Sequence, residues 1–293
     1  MKPLFILLTV FFNHAAIAQE LIVLGTLQDG GSPHMNCERT CCAHPKENEF
    51  VASLAVADSS LSIIIDATPD FVIQTNYLRK QFGHNNLAIF LTHAHVGHYS
   101  GLIHLGREAA NTQKVPVYAM RRMINFLLNN GPWNQLIELD NIEPRSIQES
   151  LPITLGNGVI MEPILVPHRD EYSETVGYYI KGQSKTALYI PDIDKWSAWD
   201  QNILSIIPTV DYAFIDGTFY EDGEVPRPMS EVPHPFISES IQLLQHLTIE
   251  DRNKVYFIHL NHSNPTRNKT FEGRKSIEAS GFRFAEFGQR FTL

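Results

Sequence analysis

From Phe90 to Gly101 the chain reads Phe-Leu-Thr-His-Ala-His-Val-Gly-His-Tyr-Ser-Gly, which sets His93, His95 and His98 within six residues. Neutral imidazole is the commonest nitrogen ligand for a transition metal. Three more residues of metal-ligand type follow apolar runs: His168 after Ile164-Leu165-Val166-Pro167, Asp192 after Leu188-Tyr189-Ile190-Pro191, and His259 after Val255-Tyr256-Phe257-Ile258. A lone histidine at such a place ordinarily hydrogen-bonds backbone, but four such positions in one chain favour a metal centre. A divalent cation on neutral histidines polarises a bond under attack and lowers the pKa of bound water from about 16 to about 7. The expected chemistry is hydrolysis of an ester, amide or phosphoester.

The elements that must position these groups alternate along the chain. Strands are expected at 21–24, 51–56, 61–65, 87–91 and 115–118, with helices over Phe71–Phe82, 101–110 and Arg121–Asn129. Asn130-Gly131-Pro132 then breaks the pattern, and short β-rich runs follow at 153, 159–166, 176–180, 187–190, 212–215 and 255–258, with helical stretches near 196–206 and 237–246. Interleaved strands and helices without a linker imply one α/β domain. The first histidine cluster therefore lies on a strand-to-helix loop.

The order His-x-His-x-x-His, then His, Asp and His resembles the metallo-β-lactamase superfamily over essentially all of residues 19–293. The resemblance implies a four-layer αβ/βα sandwich holding one or two divalent ions, zinc first, with iron or manganese as alternatives. It implies a first site of His93, His95 and His168, Asp192 bridging, and His98 and His259 at a second. Asp192, orienting the nucleophile, and His262 are the expected catalytic residues. The loop Gly30-Gly31 to Asn36-Cys37, Gly131-Pro132-Trp133, Asp216-Gly217-Thr218-Phe219, His234-Pro235-Phe236-Ile237-Ser238 and His259-Leu260-Asn261-His262-Ser263-Asn264-Pro265 narrow the resemblance to the PqqB branch, named for pyrroloquinoline quinone biosynthesis.

One position departs from that pattern. Gly97 stands where His-x-His-x-Asp-His would supply a carboxylate to the second metal. The remaining set, Asp192, His98 and His259, carries less charge and predicts unequal occupancy or a different metal preference; His262 and Asp194 are the expected substitutes. Asp216 and His234 are expected to contact substrate, or to serve as a turn residue and a loop hydrogen-bonder.

Cys37, Cys41 and Cys42 share one short loop with His34. A disulfide, a small zinc site with His34, and free thiols all fit that spacing. Residues 1–18 carry Lys2, an apolar run from Leu4 to Phe12, and Ala16-Ile17-Ala18. That is the pattern of a cleaved export signal, too short in its apolar run for a spanning helix. A periplasmic or secreted domain beginning near Gln19, without stable membrane insertion, is expected.

The formal charge of −9 and pI near 5.8 argue against affinity built on attraction to nucleic acid. A small-molecule substrate fits instead, with oligomeric state left open. The runner-up is an oxygen-dependent oxidoreductase, since the resemblance points to a branch associated with an oxidative step in quinone cofactor formation. The third is a metal-binding protein of the same fold without catalysis, for which Gly97 is the argument. Trp133, Phe219 and Tyr220 are expected to line the site's mouth or to cover core.

Overall fold

A computed structural model describes residues 19–44, 47–225 and 228–293; the expected export signal at 1–18 lies outside them. The strands among these described residues form two seven-stranded sheets. The first has the order β14 (Arg290–Thr292), β1 (Glu20–Gly25), β2 (Ser53–Ala57), β3 (Ser62–Ile65), β4 (Leu87–Phe90), β5 (Val115–Ala119) and β6 (Ile142–Ser146). The second has the order β13 (Arg283–Phe284), β12 (Val255–Ile258), β11 (Tyr212–Asp216), β10 (Thr186–Ile190), β9 (Val176–Lys181), β8 (Ile160–Leu165) and β7 (Ile153–Thr154).

Alternation along each strand builds the layers, because successive side chains point to opposite faces. Ile63 and Ile65 face the space between the sheets with Phe90, Tyr178, Tyr189 and Phe214. Ile64 faces outward, where Ile89 and Val117 meet Phe71, Leu78, Met123 and Leu127 from the helices Phe71–Phe82 and Arg121–Asn129. On the other side Leu188, Ile190, Ala213 and Ile215 pack on the helices Ile203–Ile206, Ile237–Leu244 and Glu272–Ala279. Strands buried on both faces read as continuous apolar runs. The result is the expected αβ/βα sandwich.

Strand direction then decides where the chemistry collects. β1 and β3 are both antiparallel to β2, and β3 to β6 run parallel; β8 and β10 are both antiparallel to β9, and β10 to β13 run parallel. The carboxyl ends of β1, β3 and β4 therefore open on one edge of their sheet, and those of β8, β10, β11 and β12 share an edge of theirs. A parallel bridge between Leu27 and Leu260 joins the sheets at this edge, with Leu260 N donating to Thr26 O at 2.7 Å and Gln28 N to Leu260 O at 3.0 Å. Ligands bind beyond strand carboxyl ends in folds of this kind.

Some elements differ from expectation. Instead of a helix over 101–110, one turn at Val96–Tyr99 passes into a 3₁₀ segment at Ser100–Leu105. Gly97, Gly101 and Gly106 leave that stretch with poor helix propensity. The expected helix over 196–206 is divided into a turn at Trp196–Ala198 and the helix Ile203–Ile206, whose first turn is capped by Asn202. β6, β13 and β14 were not legible, being short or, as in Ile-Glu-Pro-Arg-Ser, without alternation. Trp133 stacks edge-on against Tyr99 at 5.2 Å and Tyr220 packs on Phe271 at 5.3 Å, so both cover core, while Phe219 is buried with Val232 and Phe236 and also sets its ring against His234 at 5.8 Å.

Candidate metal centre

The end of β4 is pinned from three sides. Leu91 N donates to Tyr118 O at 2.9 Å, Tyr178 Oη donates to Leu91 O at 2.6 Å, and Thr92 N donates to Asp66 Oδ1 at 2.8 Å. His93 thus emerges from a fixed backbone. His93, His95, His168 and Asp192 place one ligand atom each within 4.8 Å of all the others. Asp192 Oδ2 lies 3.3 Å from His93 Nε2 and 3.8 Å from His95 Nδ1, while Oδ1 lies 3.1 Å from His168 Nε2.

A second group adjoins it. Asp29 Oδ1 approaches His98 Nε2 at 3.1 Å and His259 Nε2 at 3.5 Å, and Asp192 Oδ2 reaches the same two nitrogens at 3.9 and 4.0 Å. Asp192 therefore stands between the groups, able to serve both.

The surrounding hydrogen bonds fix the tautomers. Thr218 Oγ1–H is committed to Asp216 Oδ1 at 2.7 Å, so at 2.9 Å it accepts from His259 Nδ1–H. His98 Nδ1–H donates to Asp66 Oδ2 at 2.8 Å, and His168 Nδ1–H to Asp194 Oδ1 at 3.0 Å. Thr92 Oγ1–H faces both Asp66 oxygens at 3.0 Å and accepts from His93 Nδ1–H at 3.0 Å. His95 turns its other edge inward, with Nε2 facing Glu171 at 3.6 Å and Nδ1 only 2.8 Å from His93 Nε2.

With their Nδ1–H groups committed outward, His98, His168 and His259 turn their Nε2 atoms toward the two carboxylates. Asp29 Oδ1, His98 Nε2, His168 Nε2, Asp192 Oδ1 and His259 Nε2 are buried without a hydrogen-bond partner. Buried polar atoms left without a partner are costly, and a cation set among them would satisfy all of them at once. Outer carboxylates and hydroxyls that orient imidazoles are the usual support of a metal site. His259 itself has φ of 64°, a left-handed conformation held by its surroundings.

The chain matches the Beta-lactamase superfamily domain over residues 62–260. It belongs to the beta-lactamase superfamily. Over 312 residues it is 25% identical to coenzyme PQQ synthesis protein B of Xanthomonas oryzae pv. oryzae, covering 93% of this chain and 99% of the relative. The similarity to the protein of the same name from Methylobacterium radiotolerans is 26% over 307 residues, with 93% and 99% covered. Zn(2+)-bound PqqB from Methylobacterium extorquens superposes with a TM-score of 0.78 at 22% identity, covering 94% of this chain and all of that one. A diphosphatase of the PhnP family superposes at 0.66, also at 22% identity, with 94% and 98% covered. These structures share the metallo-β-lactamase fold.

Within this superfamily scaffold the electrostatics follow from burial and neighbours. Burial alone would raise Asp192, but His168, His234 and His259 hold it well below the usual carboxylate range. Asp29 is likewise held well below that range, against burial, by His259 and His98. Burial pulls His168 down, yet Asp192 and Asp194 override it and hold the imidazole up at about 10. Burial and His98 push His93 well below its ordinary value, outweighing the opposing pull of Asp192.

Asp216 and His234 extend the centre. His234 Nδ1–H donates to Asp216 Oδ2 at 2.9 Å and lies 3.2 Å from Asp192 Oδ1. Both are buried, which places His234 against Asp192 and makes Asp216 the common support of His234 and, through Thr218, of His259. Asp216 is therefore a positioning residue behind the site.

Three expectations are corrected. His262 is not beside Asp192: it joins Cys37, Cys41 and Cys42 in a separate group whose ligand atoms lie within 4.8 Å of one another. His34 stands outside that group, its ring stacked on His262 at 4.1 Å and its backbone N–H pointing to Cys42 Sγ at 3.3 Å. The second group of the main centre is not short of a carboxylate either, because Asp29 occupies the place; Asp194 instead orients His168. Asp29 escaped the sequence reading because no apolar run leads into it directly, and only Gly97 hinted that a carboxylate had to come from elsewhere.

All three cysteines are free thiols. Cys37 Sγ and Cys41 Sγ are 3.8 Å apart. A tetrahedral zinc with Zn–S bonds of about 2.3 Å has an S···S edge of about 3.8 Å, so the geometry suits a Cys₃His cation site better than a disulfide. Burial, with Cys37 and Cys42 beside it, pushes the Cys41 thiol up to about 11. A cation would remove that mutual repulsion.

Proposed function

We propose that this chain is an exported, metal-dependent hydrolase acting on a small ester-, amide- or phosphoester-type substrate. The reading is carried by the convergence of imidazole nitrogens on Asp192 within 4.8 Å of one another, several of them buried with no hydrogen-bond partner. His93, His95 and His168 with Asp192 would hold a first ion, and His98 and His259 would serve a second. Bound there, a divalent ion such as zinc supplies Lewis acidity and hydroxide at neutral pH.

The chain's own groups do the rest. Asp192 is fully charged and fixed, so it can orient a nucleophilic water between the two groups. Burial disfavours a charged His234, but Asp216 and Asp192 outweigh it and raise its proton affinity. A protonated imidazole at that point can deliver its proton to a leaving group, a contribution of about 10² to 10⁴ in rate. The three thiols and His262 would hold a structural zinc that ties the loop after β1 to the segment after β12.

Elemental analysis joined to a screen of phosphodiester, lactam, lactone and thioester substrates tests the proposal. The expected result is metal-dependent turnover that disappears, with the metal, in His93→Ala/His95→Ala. Unchanged metal content and activity in that double variant would refute it. His234→Gln should keep the metal and lose turnover.

A second reading has support in the end-to-end similarity to coenzyme PQQ synthesis proteins. A set of five histidines and two carboxylates also suits iron. Oxygen consumption by the iron-loaded protein and none by the zinc-loaded one would favour that chemistry over hydrolysis.

A further inference from the structure

Position 97 and position 29 compete for one volume. A Cβ added to Gly97 would lie 2.2 Å from Asp29 Oδ1 and 2.6 Å from Asp29 Cα, closer than side-chain atoms approach one another. Gly97 is thus the residue that admits Asp29, and the carboxylate stands beside the backbone position from which the superfamily pattern would have supplied one. Asp29 comes from the loop after β1, some seventy residues earlier in the chain.

We infer that Asp29 is a metal ligand, relocated from position 97 to the loop after β1, and that it completes a second ion site with His98, His259 and Asp192. This rests on the two-ion reading above. Three observations carry it. Asp29 Oδ1 points at His98 Nε2 and His259 Nε2, at 3.1 and 3.5 Å, and all three atoms are buried without hydrogen-bond partners. The imidazoles are held from behind by Asp66 and Thr218, so their Nε2 atoms face the carboxylate. The loop is locked in place by the bridge from Leu27 to Leu260 and by Gln28 N donating to Leu260 O at 3.0 Å, one residue either side of the groups concerned.

The relocation restores the charge that Gly97 removes. Two dications would meet two carboxylates, Asp29 and Asp192, so the second site is as anionic as if residue 97 were aspartate. It also makes that site depend on the amino-terminal loop, which continues directly into Cys37 and Cys41. A hard oxygen from Asp29 favours zinc, iron or manganese there over softer ions.

The test is a metal count on the full protein loaded with zinc, with the thiol-bound ion released separately by a mercurial and read with a chromophoric chelator. Wild type should hold two ions outside the cysteine cluster. Asp29→Ala should hold one, and Asp29→Asn, which keeps the shape and loses the charge, should bind the second at least about 100-fold more weakly. The first ion, retained in both variants, reports that the fold is intact. Two ions in Asp29→Ala, with the weaker affinity within about threefold of wild type, would overturn the assignment of Asp29. A single ion in wild type would instead overturn the two-ion reading itself, and the two failures are read from different proteins.

Discussion

Thr218→Val isolates the physical argument that tautomer control makes the pocket a cation site. In the wild type Thr218 Oγ1–H is spent on Asp216 at 2.7 Å, so the hydroxyl oxygen accepts from His259 Nδ1–H at 2.9 Å and the Nε2 lone pair faces inward. Valine has the same shape and no acceptor. With an ion bound, Nε2 must stay bare, so Nδ1–H remains buried beside a methyl group; an unsatisfied buried donor costs about 1–3 kcal/mol.

The metal-free protein escapes that cost. There the proton can move to Nε2 and point toward Asp29 Oδ1, 3.5 Å away. The penalty therefore falls on the bound state, and second-site affinity should drop roughly 10- to 100-fold. The first site, whose imidazoles are oriented by Thr92 and Asp194, should be unaffected. Competition against a chromophoric chelator resolves the two constants, and Thr218→Ser, which keeps the hydroxyl, should stay close to wild type. A Thr218→Val protein that is folded and binds the second ion within about threefold of wild type would refute the reasoning.

Tyr178→Phe removes the donor to Leu91 O that ties β9 to the end of β4, and should lower unfolding free energy by about 1–3 kcal/mol in urea titration. Phe214→Ala, in the packing between the sheets against Tyr256 and Phe291, should cost about 3–5 kcal/mol in the same titration. Cys42→Ser should release one ion per chain and weaken the second ion of the main centre, since the loop that carries Asp29 also carries the cysteines; mass spectrometry under native conditions would show both losses. Export predicts an amino terminus at Gln19 in the mature protein, read by terminal sequencing of the periplasmic or secreted fraction.

The sequence by itself determined the layers and five of the histidines at the main centre. His93, His95, His98, His168 and His259 each follow a strand whose apolar run is local and legible, and the alternation of strands with helices leaves few ways to close the sheets. Asp192 was legible for the same reason. What those residues touch was not, because side-chain contacts across β1, β4, β10 and β12 depend on strand direction and order rather than on any local pattern.

Only the tertiary structure decided the rest. His262 lies three residues beyond His259, yet the chain passes through a left-handed residue at His259 and delivers His262 to the cysteines, stacked on His34. Asp29 is far from Gly97 in sequence and within van der Waals contact of it in space. Packing two backbones that closely requires the absence of a Cβ, and the same absence that looked like a missing ligand makes room for the one that replaces it.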